Sequence, residues 1–164
     1  MLATPFKVSR VLAELADDDF LQLDPAGRIT AAYPFSAVPT QHRVQLSGGA
    51  SVFAMCAIDA LGMSAMTGLP AVIESADPST GRLVTVNVEQ TDSIWDPATA
   101  VVYVGRTGAC AGPSASVCCD YINFFTTRAA ASAWAADHPE ITGGILNQTQ
   151  ALQIGITIFG KLLS

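Results

Sequence analysis

An α+β fold, with mixed or antiparallel sheets packed against helices, is the architecture this sequence predicts, and three observations point to it. Short apolar runs of strand length, at 71–75, 83–88 and 100–105, are bounded by turn-forming residues. Helical periodicity is confined to a few segments, one near each end of the chain and others within it. Strands and helices are not regularly interleaved, which argues against a doubly wound parallel sheet. With 164 residues, half of them apolar and 13% charged, the chain is the size of one domain with a proper core and is not disordered.

Residues Lys7 to Asp17 place Val8, Val11, Leu12 and Leu15 at helical spacing. Phe20 to Leu23 and Arg28 to Tyr33 flank the turn Asp24-Pro25-Ala26-Gly27 and read as a hairpin. A helix plus a hairpin resembles part of a winged-helix unit, too short to have its own core. Residues 1–39 are therefore expected to be a partial winged-helix-like segment with an extended, proline-containing connector (Tyr33 to Thr40), and 40–164 the main core. His42 to Leu46 reads as a strand, and Ser51 as the cap of a helix from Val52 to about Thr67, closed by Gly68 and Pro70. That helix is apolar nearly all round, so it belongs in the centre of the domain. Ser116 to Phe125 is strand-like, Thr127 caps an alanine-rich helix to Asp137, and Gly143-Gly144 break the chain before a last helix from Thr149 to Leu163.

Composition also excludes functions. The net charge is −6 and only eight Lys and Arg are present, scattered, so a phosphate-neutralising nucleic-acid surface is not expected. No apolar run reaches the roughly 18 residues of a membrane-spanning helix. The first ten residues lack the pattern of a secretory signal, so a soluble, cytoplasmic protein is expected. Cysteines stand at 56, 110, 118 and 119. In a reducing cytosol they are free thiols, metal ligands or catalysts, and adjacent Cys118 and Cys119 are poorly placed to bridge each other.

Two stretches could carry chemistry. In Cys56-Ala57-Ile58-Asp59 a helical spacing puts thiol and carboxylate on one face, and a carboxylate on so apolar a helix is costly unless satisfied or working. The plainer alternative is a core cysteine beside a capping or solvated aspartate. In SVCCDYINFF, strand alternation turns Cys118 and Cys119 to opposite faces, so one of them addresses any given site, unless both are simply core. There is no CxxC pair, no ligand spacing between His42 and His138, no glycine-rich phosphate loop and no G-x-S-x-G. Cys110, in a Gly/Pro/Ser loop, reads as a bystander.

At these residues the sequence resembles the organomercurial (alkylmercury) lyases. FAMCAIDALGMSAM is similar to the family's Cys-x-x-Asp helix, and VCCDYINFF, 62 residues after Cys56, to its second motif, a Cys-Cys pair followed by aromatics. YPFSAVPTQHRV, the ADPSTG turn, AWAADHP and IFGKLLS extend the likeness over about residues 8–163, with an N-terminal region shorter than is usual in the family. The resemblance implies a lyase-like catalytic core over 40–164 that breaks carbon–mercury bonds with Cys56, Asp59 and Cys118, the same three residues holding mercury. Cys119 is left as a spare.

The chemistry suits these residue types. Mercury(II) is soft and prefers thiolates. One thiolate captures R–Hg⁺, a second weakens the bond to carbon, and Asp59 takes the thiol proton and hands it to the carbon, which leaves as R–H. The helix dipole at Cys56 modestly favours its thiolate. No cofactor is expected, because the metal arrives with the substrate. The partners implied are organomercurial small molecules, small cytosolic thiols and mercuric reductase as Hg(II) acceptor, with no nucleic acid and no membrane. A non-catalytic soft-metal binding protein, or a homologue recruited to another reaction, are the rival readings, and Asp59 discriminates, because a binder needs only thiols.

Overall fold

The computed structural model describes residues 5–108 and 118–163, with side chains from residue 8 onward. Helix α1 (Pro5–Asp17) leads into the hairpin β1 (Leu21–Leu23) and β2 (Ile29–Ala32). The two-residue strand β3 (Phe35–Ser36) follows, then β4 (His42–Leu46), β5 (Ser51–Ala54) and helix α2 (Ala57–Thr67). Next come β6 (Ala71–Ala76), β7 (Leu83–Glu89), β8 (Asp92–Asp96) and β9 (Val101–Thr107). A single 3₁₀ turn (Cys119–Tyr121) precedes β10 (Ile122–Phe125), α3 (Arg128–Asp137), β11 (Ile141–Leu146) and α4 (Gln148–Phe159).

Among the described residues the strands form two sheets, one of eight strands in the order β1-β2-β3-β5-β4-β6-β7-β8 and one of three in the order β10-β9-β11. Every pairing is antiparallel. The α+β expectation is met, with antiparallel sheets. The N-terminal helix and hairpin form where their periodicity and turn residues indicated. The hairpin continues through β3 onto β5, so it is the end of the large sheet, and the winged-helix likeness goes no further than this helix and hairpin.

The sheets take their facing from simple alternation. In β4, His42, Val44 and Leu46 point inward while Arg43 and Gln45 face out, and β6 and β7 repeat the pattern with Ala71, Ile73 and Ser75 and with Val84, Val86 and Val88. Helix α2 lies against this inner face with Ala57, Ile58, Ala60, Leu61 and Met63 buried, as an all-round apolar helix must. Its other side meets α4 at a glycine seam. A Cβ at Gly62 would sit 2.7 Å from the Gly155 carbonyl oxygen, and one at Gly155 would sit 2.8 Å from the Gly62 nitrogen. Only glycine at both positions lets the two backbones come this close. A smaller core under the three-stranded sheet packs Tyr103, Phe125 and Ile141 with Trp134 of α3.

Asp77, fully buried at the β6–β7 turn, ties the two sheets together. Its Oδ1 accepts from Ser79 N (2.9 Å), Ser79 Oγ (2.7 Å) and Thr80 N (3.2 Å), and its Oδ2 from Thr126 N and Oγ (both 2.8 Å). Burial pushes this carboxyl up, but the hydrogen bonds from Thr126 and Ser79 outweigh it and hold the group below the usual carboxylate range.

Four local readings of the sequence are corrected. Residues 52–54 are strand, not helix: β5 pairs with β3 and β4, and the helix starts only at Ala57. Strand β8, where Trp95 is buried against β7, was not anticipated. Gly143-Gly144 do not break the chain but lie inside β11, where Gly143 pairs with Gly105. A Cβ at Gly143 would strike the Val104 carbonyl and the Tyr103 ring, so the glycine is there for close strand packing. The fourth is the segment before β10, where residues 119–121 turn instead of extending.

Candidate active site

The β5 strand and helix α2 meet at Cys56. Its backbone is extended (φ −151°, ψ 177°) and its Sγ accepts the Asp59 N–H at 3.5 Å, so the cysteine is the helix N-cap, not an interior residue. An N-cap acceptor binds the N–H three residues on, and this is what Cys-x-x-Asp spacing delivers here. Asp59 is thereby fixed in the first turn with its side chain on the Cys56 side.

The third member arrives from the other sheet. Cys119 opens the 3₁₀ turn that leads into β10, which brings its sulfur to the start of α2. One donor atom each from Cys56, Asp59 and Cys119 lie within 4.8 Å of one another, the one such group of His, Cys, Asp and Glu among the described residues. All three side chains are buried, at 2%, 6% and 7% exposure.

Electrostatics there favour protons over charge. Burial raises the Asp59 carboxyl to about 7, against the smaller opposing pull of its contact with Cys56. Burial pushes the Cys56 thiol well above its ordinary value, helped by its hydrogen bond with Cys119 and by the negative charge of Asp59. The dipole effect expected to favour a Cys56 thiolate is thus outweighed by desolvation, and the resting site holds a thiol. Asp59 Oδ2 is buried without a hydrogen-bond partner. An orphaned carboxylate oxygen beside two thiols is an acceptor open to a proton.

The cluster forms the floor of a cavity of 480 Å³ whose walls include Phe20, Val104, Ile122, Ile154 and Ile158. Cys118 lines the same cavity and is half-buried. The structure therefore brings the predicted Cys56 and Asp59 together and places the predicted Cys118 on the wall above them. It adds Cys119, which the sequence reading had set aside. Strand alternation leaves one of the two for the site and the family resemblance assigns it to Cys118, but because both precede β10 in a turn, alternation does not separate them. Cys110 lies outside the described residues. No described helix is long and apolar enough to cross a membrane.

Against this geometry stand the comparisons with known proteins. The alkylmercury lyase family model matches residues 35–160. An alkylmercury lyase of Streptomyces lividans is 33% identical over 98% of this chain, which spans 72% of that protein. One of Staphylococcus epidermidis is 32% identical over 91% of the chain, which spans 66% of it. The crystal structure of the mercury-bound form of MerB2 superposes with a TM-score of 0.81 at 27% identity, covering 99% of this chain and 78% of its own. The matched region runs from β3 to the end of α4 and includes the whole thiol–carboxylate cluster: the chain belongs to the alkylmercury lyase family.

Proposed function

We propose that the protein cleaves carbon–mercury bonds by protonolysis, giving a hydrocarbon and Hg(II), with the Cys56 and Asp59 pair at the centre of the reaction. The observation that supports this most is the Asp59 carboxyl with its orphaned oxygen, held near neutral pKa between two thiols under an apolar cavity. A protein that only stored mercury would need the thiols and would gain nothing from burying a carboxylate among them.

A cysteine thiol displaces the weak ligand of R–Hg–X and gives R–Hg–S, releasing HX. A second thiol passes its proton to the Asp59 carboxylate and adds to mercury, raising electron density on the carbon. Asp59 returns that proton to carbon, R–H departs, and Hg(II) remains between two sulfurs. A group titrating near 7 both accepts and donates at neutral pH, as this cycle requires. Near the apolar walls the R group is kept from water. No further cofactor enters the scheme, since mercury comes with the substrate.

For the second thiol, geometry favours Cys119, which sits in the cluster, whereas the family resemblance and a place on the cavity wall favour Cys118. Separate substitutions decide. The variant that loses the second ligand, Cys119→Ser on the geometric reading, abolishes turnover, while the other retains it. The proposed acceptors of the product are small thiols and mercuric reductase, in the reducing environment of the cytoplasm. The overall reading is tested by incubating the protein with phenylmercury and excess small thiol. Benzene release at a rate proportional to protein is expected, and stoichiometric binding with no benzene overturns it.

A further inference from the structure

A second cavity, of 450 Å³, lies next to the first and shares one lining residue with it, Cys119. Residues close in sequence divide between the two. Cys56, Cys118 and Ile122 line the apolar cavity, Met55, Asp120 and Asn123 line the second, and Cys119 lines both. The second cavity is the more polar of the two, setting Gln22, Gln41, His42 and Thr40 beside the apolar Val38, Pro39 and Met55. His42 and Asn123 are buried there at 3% and 5% exposure. His42 is held by Ser75 Oγ at 2.9 Å, and burial, outweighing a hydrogen bond with Asn123, lowers it to about 4 and keeps it uncharged. Among the described lining residues there is no Lys or Arg, and Asp120 is the one that carries a formal charge at neutral pH.

We propose that this polar cavity is the docking site of the small thiol that removes Hg(II), and that it selects thiols bearing an amine over thiols bearing further carboxylates. The inference rests on the lyase reading above and adds where the product leaves and to what chemistry. Mercury held by two buried thiolates leaves only by ligand exchange, which needs an incoming sulfur to reach it. The apolar cavity is shaped for the organic group and resists hydrated thiols, whereas a polar cavity of this size holds a small hydrophilic molecule. The exchange balances without redox change. With Cys119 as the second ligand, the reading the cluster geometry favours, one R′SH forms Hg–SR′ as the Hg–S(Cys119) bond breaks, and its proton goes to the Cys119 sulfur. A second R′SH does the same at Cys56, giving Hg(SR′)₂ and two protein thiols.

The test loads the protein with one equivalent of Hg²⁺ and follows its transfer to cysteamine, 2-mercaptoethanol and mercaptoacetate at matched thiolate concentration. In the wild type, cysteamine is expected to exceed mercaptoacetate by about fivefold beyond their reactivity with a free mercury dithiolate, the scale of one partly exposed charge contact. Asp120→Asn should remove most of that preference. Val38→Trp, at a half-exposed residue of the cavity wall, should slow transfer to all three thiols about tenfold while leaving single-turnover benzene release from phenylmercury within about twofold. Transfer that ignores thiol charge and is unchanged in both variants overturns the proposal. Benzene release separates the two readings: its absence with the thiol preference intact sinks the lyase chemistry alone, and its presence without the preference sinks the docking site alone.

Discussion

Two buried carboxylates, Asp77 at the β6–β7 turn and Asp59 at the start of α2, are held in opposite ways. Asp77 is surrounded by donors from Ser79, Thr80 and Thr126, and its pKa goes down. Asp59 has one oxygen with no partner, two thiols within ligand distance, and a pKa raised to about 7. Burial acts on both, and hydrogen bonding decides between them. Where neighbours satisfy the carboxylate the result is a strut between sheets. Where they withhold satisfaction the result is a carboxyl raised to about 7, suited to the proton transfer proposed above.

The sharpest way to break this contrast is Asp59→Asn. The amide keeps the size of the side chain but cannot shuttle a proton at neutral pH. Release of benzene from bound phenylmercury should slow about 10²-fold or more in single-turnover measurements, while Hg²⁺ still binds one to one. A wild-type rate from folded Asp59→Asn protein would move the proton donor elsewhere, to a cysteine for example.

Asp77→Ala should do the reverse. It leaves the Thr126, Ser79 and Thr80 N–H groups without their acceptor, and a loss of about 2–4 kcal/mol in unfolding stability is expected from denaturant titration. Benzene release per folded molecule should stay near the wild-type value.

A smaller effect, which sharpens the contrast further, is its pH dependence. Asp59 has a folded pKa above its unfolded one, so the stability it contributes is fully present below about pH 4 and is lost as pH rises through about 7. Asp77 has a folded pKa below its unfolded one, so its contribution is present above about pH 4 and is lost as pH falls through the folded value. Melting temperatures of wild type, Asp59→Asn and Asp77→Asn between pH 3 and 8 should show the two differences changing in opposite directions. Parallel changes would mean that the two acids are held alike.

The sequence made Cys56 and Asp59 legible because a spacing of three has the same meaning at a helix cap as within a helix, which is why the pair survives an error in where α2 begins. Period-two reasoning does not apply at Cys118-Cys119, because residues 119–121 turn instead of extending. Which thiol meets α2 depends on how the three-stranded sheet docks on the large one, and no local pattern records that. β5 was hidden for a related reason. From Val52 to Ile58 the run is apolar without a break, and such a run does not say where strand gives way to helix. Gly143-Gly144 were misread because glycine marks both breaks and tight strand packing, and only the Tyr103 ring across the sheet tells which. Asp77 was legible as part of the ADPSTG turn but not as a strut, since its partner Thr126 lies 49 residues away.

The glycine seam between α2 and α4 has a consequence for how this enzyme can vary. Gly155 and Phe159 lock α4 to the helix that carries Asp59, while Ile154 and Ile158 of the same helix stand in the cavity wall with outward exposure. Anchor and wall thus fall largely at different positions of one twelve-residue element, Phe159 alone serving both. Changes at Ile154 and Ile158 reshape the space for the organic group without disturbing the spacing of thiols and carboxylate. Breadth of substrate is therefore free to drift under selection while the reacting atoms stay in register.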